Sequence, residues 1–198
     1  MARDRSSRPE AKPLRLFIAV DVPDDVKADL VSALEPFRDR NRGMRWTSPD
    51  GWHVTLKFLG NTWPRLVEPV RQAAGSAAEE QRPFETALTE IGAFPTPKRA
   101  RVIWAGLSDP ANRFAALVRA LDELLREHFV PEKRAFTPHL TVARLNPPGN
   151  LLDAAPELVG TQVHSRAFAV DRMILYRSHL SPRGARYEAV GDFPFGSG

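Results

Sequence analysis

One tripeptide pattern with chemical potential occurs twice in this 198-residue chain: His53-Val54-Thr55 in the first half and His139-Leu140-Thr141 in the second. Histidine is the side chain that gives and takes a proton near neutral pH. A threonine hydroxyl donates to an anionic oxygen. Two copies facing one cleft would supply a base, an acid and two donors to developing negative charge. That set suits in-line displacement at phosphorus without a metal. The alternative is that each histidine is an ordinary strand residue, and a lone His-x-Thr says little. Rival chemistries are poorly served. Two histidines without a nearby third ligand fall short of a three-ligand catalytic zinc site. The chain holds no His-Glu-x-x-His and no glycine-rich phosphate loop. It has no cysteine, which excludes disulfides, thiolate metal sites and a cysteine nucleophile.

The elements that must position these residues can be read from periodicity. Residues 14–20 form a continuous apolar run, the pattern of a buried strand. Asp24 or Asp25 opens a helix through residue 37, with Val26, Leu30 and Leu34 on one face. Residues 42–47 read as extended and 48–51 as a turn. Residues 52–59 alternate, with His53, Thr55 and Lys57 on one face and Val54, Leu56 and Phe58 on the other. A helix over 64–80 follows, then strands over 84–94 and 101–107. A further helix over 110–129 carries Phe114, Leu117, Val118, Leu121 and Leu125 as one stripe. After a linker over 130–138, residues 139–145 alternate again. His139, Thr141 and Ala143 share one face, and Leu140, Val142 and Arg144 the other. Asn146-Pro147-Pro148-Gly149 is expected to end that strand. A short helix over 151–159 and strands over 168–176 and 186–190 complete the pattern. Two α+β halves, each offering one His-x-Thr strand, would place the pair across a shared cleft.

Composition bounds the setting. The chain is 42% apolar and 26% charged, ordinary globular values. Its net charge of +4 permits an anionic ligand such as RNA or a nucleotide without requiring one. No apolar run approaches a membrane span, and the basic start of the chain lacks the apolar stretch of a secretory leader. The expected organisation is a basic, flexible tail over 1–13, a single domain over 14–192 and a tail over 193–198. The expected setting is cytoplasmic and the expected state a monomer, with no membrane partner.

Five stretches, RLFIAVDVP at 15–23, RWTSPDGWHVTLKFLG at 45–60, FPTPKRARVIWAGL at 94–107, FTPHLTVARL at 136–145 and LYRSHLSPRGARYEAV at 175–190, resemble the two-histidine phosphoesterases. Within that superfamily the chain is most similar to the RNA 2′,3′-cyclic phosphodiesterases of the LigT type. The resemblance implies a bilobal α+β fold, with two pseudo-symmetric lobes whose antiparallel sheets line a central cleft. It implies hydrolysis of RNA 2′,3′-cyclic phosphate ends to 2′-phosphates, with 2′–5′ ligation in reverse. No cofactor and no metal are implied. It casts His53 as general acid, His139 as general base, and Thr55 and Thr141 as phosphate-binding hydroxyls. Arg144 matches a further phosphate-binding position. Strict alternation puts Arg144 on the wrong face, so a bulge or strand end is needed to bring it in. Two other readings stay open: a phosphodiesterase acting on small cyclic nucleotides such as an ADP-ribose cyclic phosphate, and a non-catalytic nucleotide- or RNA-binding module. Trp46, Trp52, Trp104, Tyr176 and Phe17 are core candidates, any of which could instead stack on a base. His128 suits a helix end, and His164 and His179 read as isolated surface residues.

Overall fold

A computed structural model describes residues 12–181 and 184–196. Residues 1–11 of the expected basic tail lie outside the described residues, as do 197–198 at the other end. The strands and helices follow in the order β1 (Leu14–Asp21), α1 (Asp24–Arg38), β2 (Arg45–Trp46), β3 (His53–Thr62), α2 (Val67–Glu79), β4 (Phe84–Thr86), β5 (Leu88–Phe94) and β6 (Ala100–Leu107). Then come α3 (Arg113–Leu124), β7 (His139–Gly149), α4 (Leu151–Ala154), β8 (Phe168–Val170), β9 (Arg172–Ser181) and β10 (Gly184–Pro194).

The main sheet is antiparallel and runs β10-β9-β1-β3-β7-β6-β5, with β2 added against β7. It divides at its middle. β3 and β7 pair at one register, Val54 opposite Leu140, so the two His-x-Thr strands form the seam between two half-sheets. This is the two-lobed α+β architecture expected from the pattern, with both half-sheets joined in one path. β4 and β8 make a separate small ribbon.

One face of the sheet is buried under helices. α1 buries Val26, Leu30, Leu34 and Phe37, and α3 buries Phe114, Leu117, Val118 and Leu121. Each set recurs at helical spacing and so lies on one side of its helix. They meet Leu16, Ile18, Val54, Ile103, Ala105 and Leu140 of the strands in one apolar cluster. α3 starts three residues later than expected because Ala111 and Asn112 take left-handed conformations, φ 53° and 55°. The Asp109 carboxylate then accepts the backbone N–H groups of Phe114 (2.8 Å) and Ala115 (3.2 Å), satisfying orphan donors of the first turn.

Two expectations about chain ends and strand ends are corrected. β7 does not stop at Leu145. It continues through Asn146-Pro147-Pro148 until Gly149 pairs with Ala100. Residues 145–148 fall in an irregular stretch of the β6–β7 ladder, between Arg144 opposite Val102 and Gly149 opposite Ala100, so the missing proline N–H groups interrupt no regular pairing. The expected tail at 193 is also too early. Phe193 and Pro194 pair with Met173 and Arg172, and Phe195 is buried and stacked on Phe84.

Candidate active site

The two histidines are held in the same way. The Gly51 carbonyl accepts a hydrogen bond from His53 Nδ1 at 2.8 Å, and the Thr137 carbonyl accepts one from His139 Nδ1 at 2.7 Å. A carbonyl only accepts, so Nδ1 carries the proton in both rings and Nε2 is left for the groove. Antiparallel continuation of the Val54–Leu140 register sets His53 beside Thr141 and Thr55 beside His139. All four sit on the face opposite the helices, half-exposed where Val54 and Leu140 are fully buried.

Alternation breaks immediately after each threonine, at the same place in both motifs. In the β1–β3 ladder Ala19 lies opposite Thr55 but Ile18 lies opposite Lys57, so Leu56 is an extra residue. In the β6–β7 ladder Trp104 lies opposite Thr141 but Ile103 lies opposite Ala143, so Val142 is extra. A bulge reverses the facing of the residues that follow it until the next irregularity. Arg144 therefore comes onto the His139 face, as its match to the family motif requires. Thr47 fixes the second bulge: its hydroxyl reaches the Thr141 and Val142 carbonyls at 2.9 Å each, and Trp52 Nε1 donates to that hydroxyl at 2.8 Å.

The first bulge overturns the expected position of Lys57. Lys57 does not share the His53 face. It is buried at 6% exposure on the helix side, where it ion-pairs with Asp122 of α3 and donates to the Val130 carbonyl at 3.1 Å. Phe58 takes the groove face instead and is 53% exposed.

Aromatic rings wall both histidines. Phe17 stacks on His53 at 4.7 Å between centroids, and Tyr187 meets the ring edge-on at 5.0 Å. Phe94 meets His139 edge-on at 5.0 Å, with Trp104 at 6.3 Å. Trp104 lies so close over β5 that a Cβ at Gly92 would stand 2.2 Å from its ring, so only glycine fits there. The Trp104 indole N–H is buried with no hydrogen-bond partner among the described residues. Of the candidate stacking residues, Trp52 is core at 3% exposure, and Phe17 is covered by His53. Tyr176 and Trp104 face the groove. His179 is not isolated, because its Nε2 lies 2.7 Å from Glu188 Oε2.

Sequence reasoning missed Asp21. It lies opposite His53 in the β1–β3 ladder, and its carboxylate accepts the Tyr176 hydroxyl at 2.8 Å on both oxygens. Burial, then the bond to Asp21, holds the Tyr176 phenol above its usual pKa, so it stays a donor. The two histidines then differ electrostatically. Burial pushes both below their ordinary value. At His53 this is opposed by the Gly51 bond and the negative charge of Asp21, with smaller lowering contributions from His139 and Lys27. At His139 it is opposed by the Thr137 bond and reinforced by the positive charge of Arg144. Within that shared downward shift, the Asp21 charge pulls toward a protonated His53 and the Arg144 charge toward a neutral His139, the directions an acid–base pair calls for.

Asp21→Asn is expected to lower the His53 pKa further, since it removes a charge that raises it while keeping an acceptor for Tyr176. In the expected role of acid His53 must be protonated, so activity is expected to fall as pH rises through this pKa. The limb of the kcat/KM–pH profile that belongs to His53 therefore moves to lower pH. Arg144→Ala should move the His139 limb upward. Measured profiles that stay in place in both variants would remove these charges from the chemistry.

Fold and site define a two-lobed α+β protein with twin histidine–threonine faces on one groove. A family model described as LigT like Phosphoesterase matches residues 20–104 and 106–187, and the chain belongs to that family. Among curated proteins it is similar to an RNA 2′,3′-cyclic phosphodiesterase of Methanothermobacter thermautotrophicus, 31% identical over 88% of this chain and 95% of that protein. One of the same name from Thermus thermophilus is 34% identical over 91% of this chain and 89% of that protein. Among solved structures, a Thermus thermophilus protein superposes with TM-score 0.79 at 28% identity, covering 92% of this chain and 98% of its own. Escherichia coli LigT complexed with 3′-AMP shares the fold, with TM-score 0.75 at 24% identity over 93% and 99% of the two chains.

Proposed function

We propose that this protein is a hydrolase that opens 2′,3′-cyclic phosphates at RNA 3′ ends, leaving 2′-phosphomonoesters. The observation that carries the reading is the pair of histidines on one groove, each fixed through Nδ1 and each beside a threonine, with the negative charge of Asp21 acting on His53 and the positive charge of Arg144 on His139. The names of relatives that match nearly the whole chain support the substrate.

His139 Nε2 takes a proton from water as the water oxygen attacks phosphorus. The P–O3′ bond breaks in line, and His53 Nε2–H protonates the departing O3′. Thr55 and Thr141 donate to the non-bridging oxygens as their charge grows, and Arg144 adds a fixed positive charge. Acid, base and donors are all side chains, so no metal is assigned a role. Among the described residues no three His, Cys, Asp or Glu side chains converge. With a ribose 5′-hydroxyl in place of water, the same steps join two RNAs through a 2′–5′ bond. We place the reaction in the cytoplasm and assign it to a monomer. Among the described residues no helix is long and apolar enough to cross a membrane.

The test is an oligonucleotide ending in a 2′,3′-cyclic phosphate, incubated with enzyme and EDTA. A 2′-phosphate should accumulate. A 3′-phosphate product would reverse the in-line geometry, and activity that returns only with Mn²⁺ or Zn²⁺ would sink the side-chain mechanism.

A further inference from the structure

We propose that Arg45 and Arg144 form a second anion subsite that holds the phosphate on the 5′ side of the terminal nucleotide. The groove then favours oligonucleotide ends over bare cyclic mononucleotides. The inference rests on the cyclic phosphodiesterase reading, and it concerns Arg45, to which the hydrolysis itself gives no task.

Arg45 and Arg144 are direct cross-strand partners in the β2–β7 ladder. Directly opposite residues share a face of the sheet. The Val142 bulge that turns Arg144 onto the His139 face therefore fixes Arg45 on that face as well. The next register agrees: Trp46 lies opposite Ala143, which is fully buried on the helix side.

Both arginines are exposed, and neither has an ion-pair partner among the described residues. Some arginines elsewhere are matched, Arg166 with Asp25 and Asp29 and Arg172 with Asp171 and Asp192, and many among the described residues are not. What distinguishes Arg45 and Arg144 is that two unmatched arginines stand directly opposite one another. Like charges placed directly opposite across a ladder disfavour the pairing. Two guanidinium groups thus face one groove with no ion-pair partner among the described residues to offset their repulsion. An anion with several oxygens would offset it, and the guanidinium fork matches phosphate geometry.

The position fits a second phosphate. Thr141 lies opposite Trp104 and Arg144 opposite Val102. The two registers are separated by two residues of β6, about 6.6 Å at strand rise. That is comparable to one backbone repeat of a single nucleic-acid strand. Arg144 borders both phosphates, and Arg45 stands on its far side from β6. A nucleoside 2′,3′-cyclic phosphate has only the first anion. Its 5′-phosphorylated form and any longer RNA have both.

The experiment compares kcat/KM for cytidine 2′,3′-cyclic phosphate, its 5′-phosphorylated form and a dinucleotide ending in the cyclic phosphate. Wild-type enzyme should prefer the two substrates that carry both phosphates by about tenfold, the scale of one charge-assisted contact. In Arg45→Ala and Arg45→Gln that ratio should fall toward one. Binding of cytidine 5′-phosphate against cytidine, followed by calorimetry, reads the subsite without turnover and should show the same loss. A wild-type ratio near one in both measurements overturns the proposal, and so does a ratio that survives both substitutions. Failure of the wild-type enzyme to hydrolyse any of the three, with the binding difference intact, would overturn the phosphodiesterase reading and leave the anion subsite standing. Melting temperature separates a structural role. Removing one of two repelling charges should leave it equal or higher, whereas a drop with an unchanged substrate ratio makes Arg45 a structural residue.

Discussion

His53→Ala and His139→Ala each lower turnover of a cyclic-phosphate RNA by ~10²–10⁴, the usual worth of a positioned acid or base. The double variant is little slower than the slower single one, because the two groups act in one step. The fold should survive. Both rings are only partly buried, and each is tied by a single hydrogen bond to a carbonyl two residues upstream. Circular dichroism and melting temperature check this while initial rates give the loss. The residual activities carry the role assignment. Without His139 the limb that falls on acidification should vanish, since no base remains to be protonated. Without His53 the limb that falls on alkalinisation should vanish. Near wild-type turnover in either variant makes that histidine a strand residue and nothing more.

Asp122→Ala carries the largest expected loss of stability, about 3–5 kcal/mol by the usual cost of orphaning a buried charge. Lys57 would be left 6% exposed with the Val130 carbonyl as its remaining partner. The pair ties three segments together. Lys57 belongs to β3, Asp122 to α3, and the Asp122 carboxylate also accepts the Glu132 backbone N–H at 3.3 Å. Residues 130–132 begin the connection into His139, so the same bond steadies the approach to the second motif. Urea denaturation gives the number. Lys57→Met with Asp122→Leu should recover most of the loss, since a well-packed apolar replacement of a buried ion pair is often neutral. A loss below about 1 kcal/mol for Asp122→Ala would class the pair with solvated surface bridges.

Much of the site was legible before any coordinates. The two His-x-Thr strands, their apolar reverse faces and the helix stripes at Val26-Leu30-Leu34 and Phe114-Leu117-Val118-Leu121 all follow from local periodicity. That periodicity records which side of each element meets the core, and the structure repeats it. The resemblance of HVTLKFLG and PHLTVARL to a known family then pointed to the face expected to carry the chemistry.

What alternation missed lies just beyond each threonine. Strict alternation puts Lys57 with His53 and Arg144 away from His139, and both placements are reversed in the structure. The cause is one unpaired residue in each ladder, Leu56 and Val142. A bulge is a property of two strands, stabilised here by Thr47 and Trp52 from another part of the chain, and it leaves no mark on the periodicity of either strand. The same holds for Asp21 beside His53, Tyr176 on Asp21, and Arg45 opposite Arg144. Each is a cross-strand relation set by register, and register is decided when whole faces are buried together. The sequence by itself therefore determined the elements, their buried faces and the two catalytic candidates. Only the tertiary structure decided which charges surround those candidates, because that depends on how separate strands are paired.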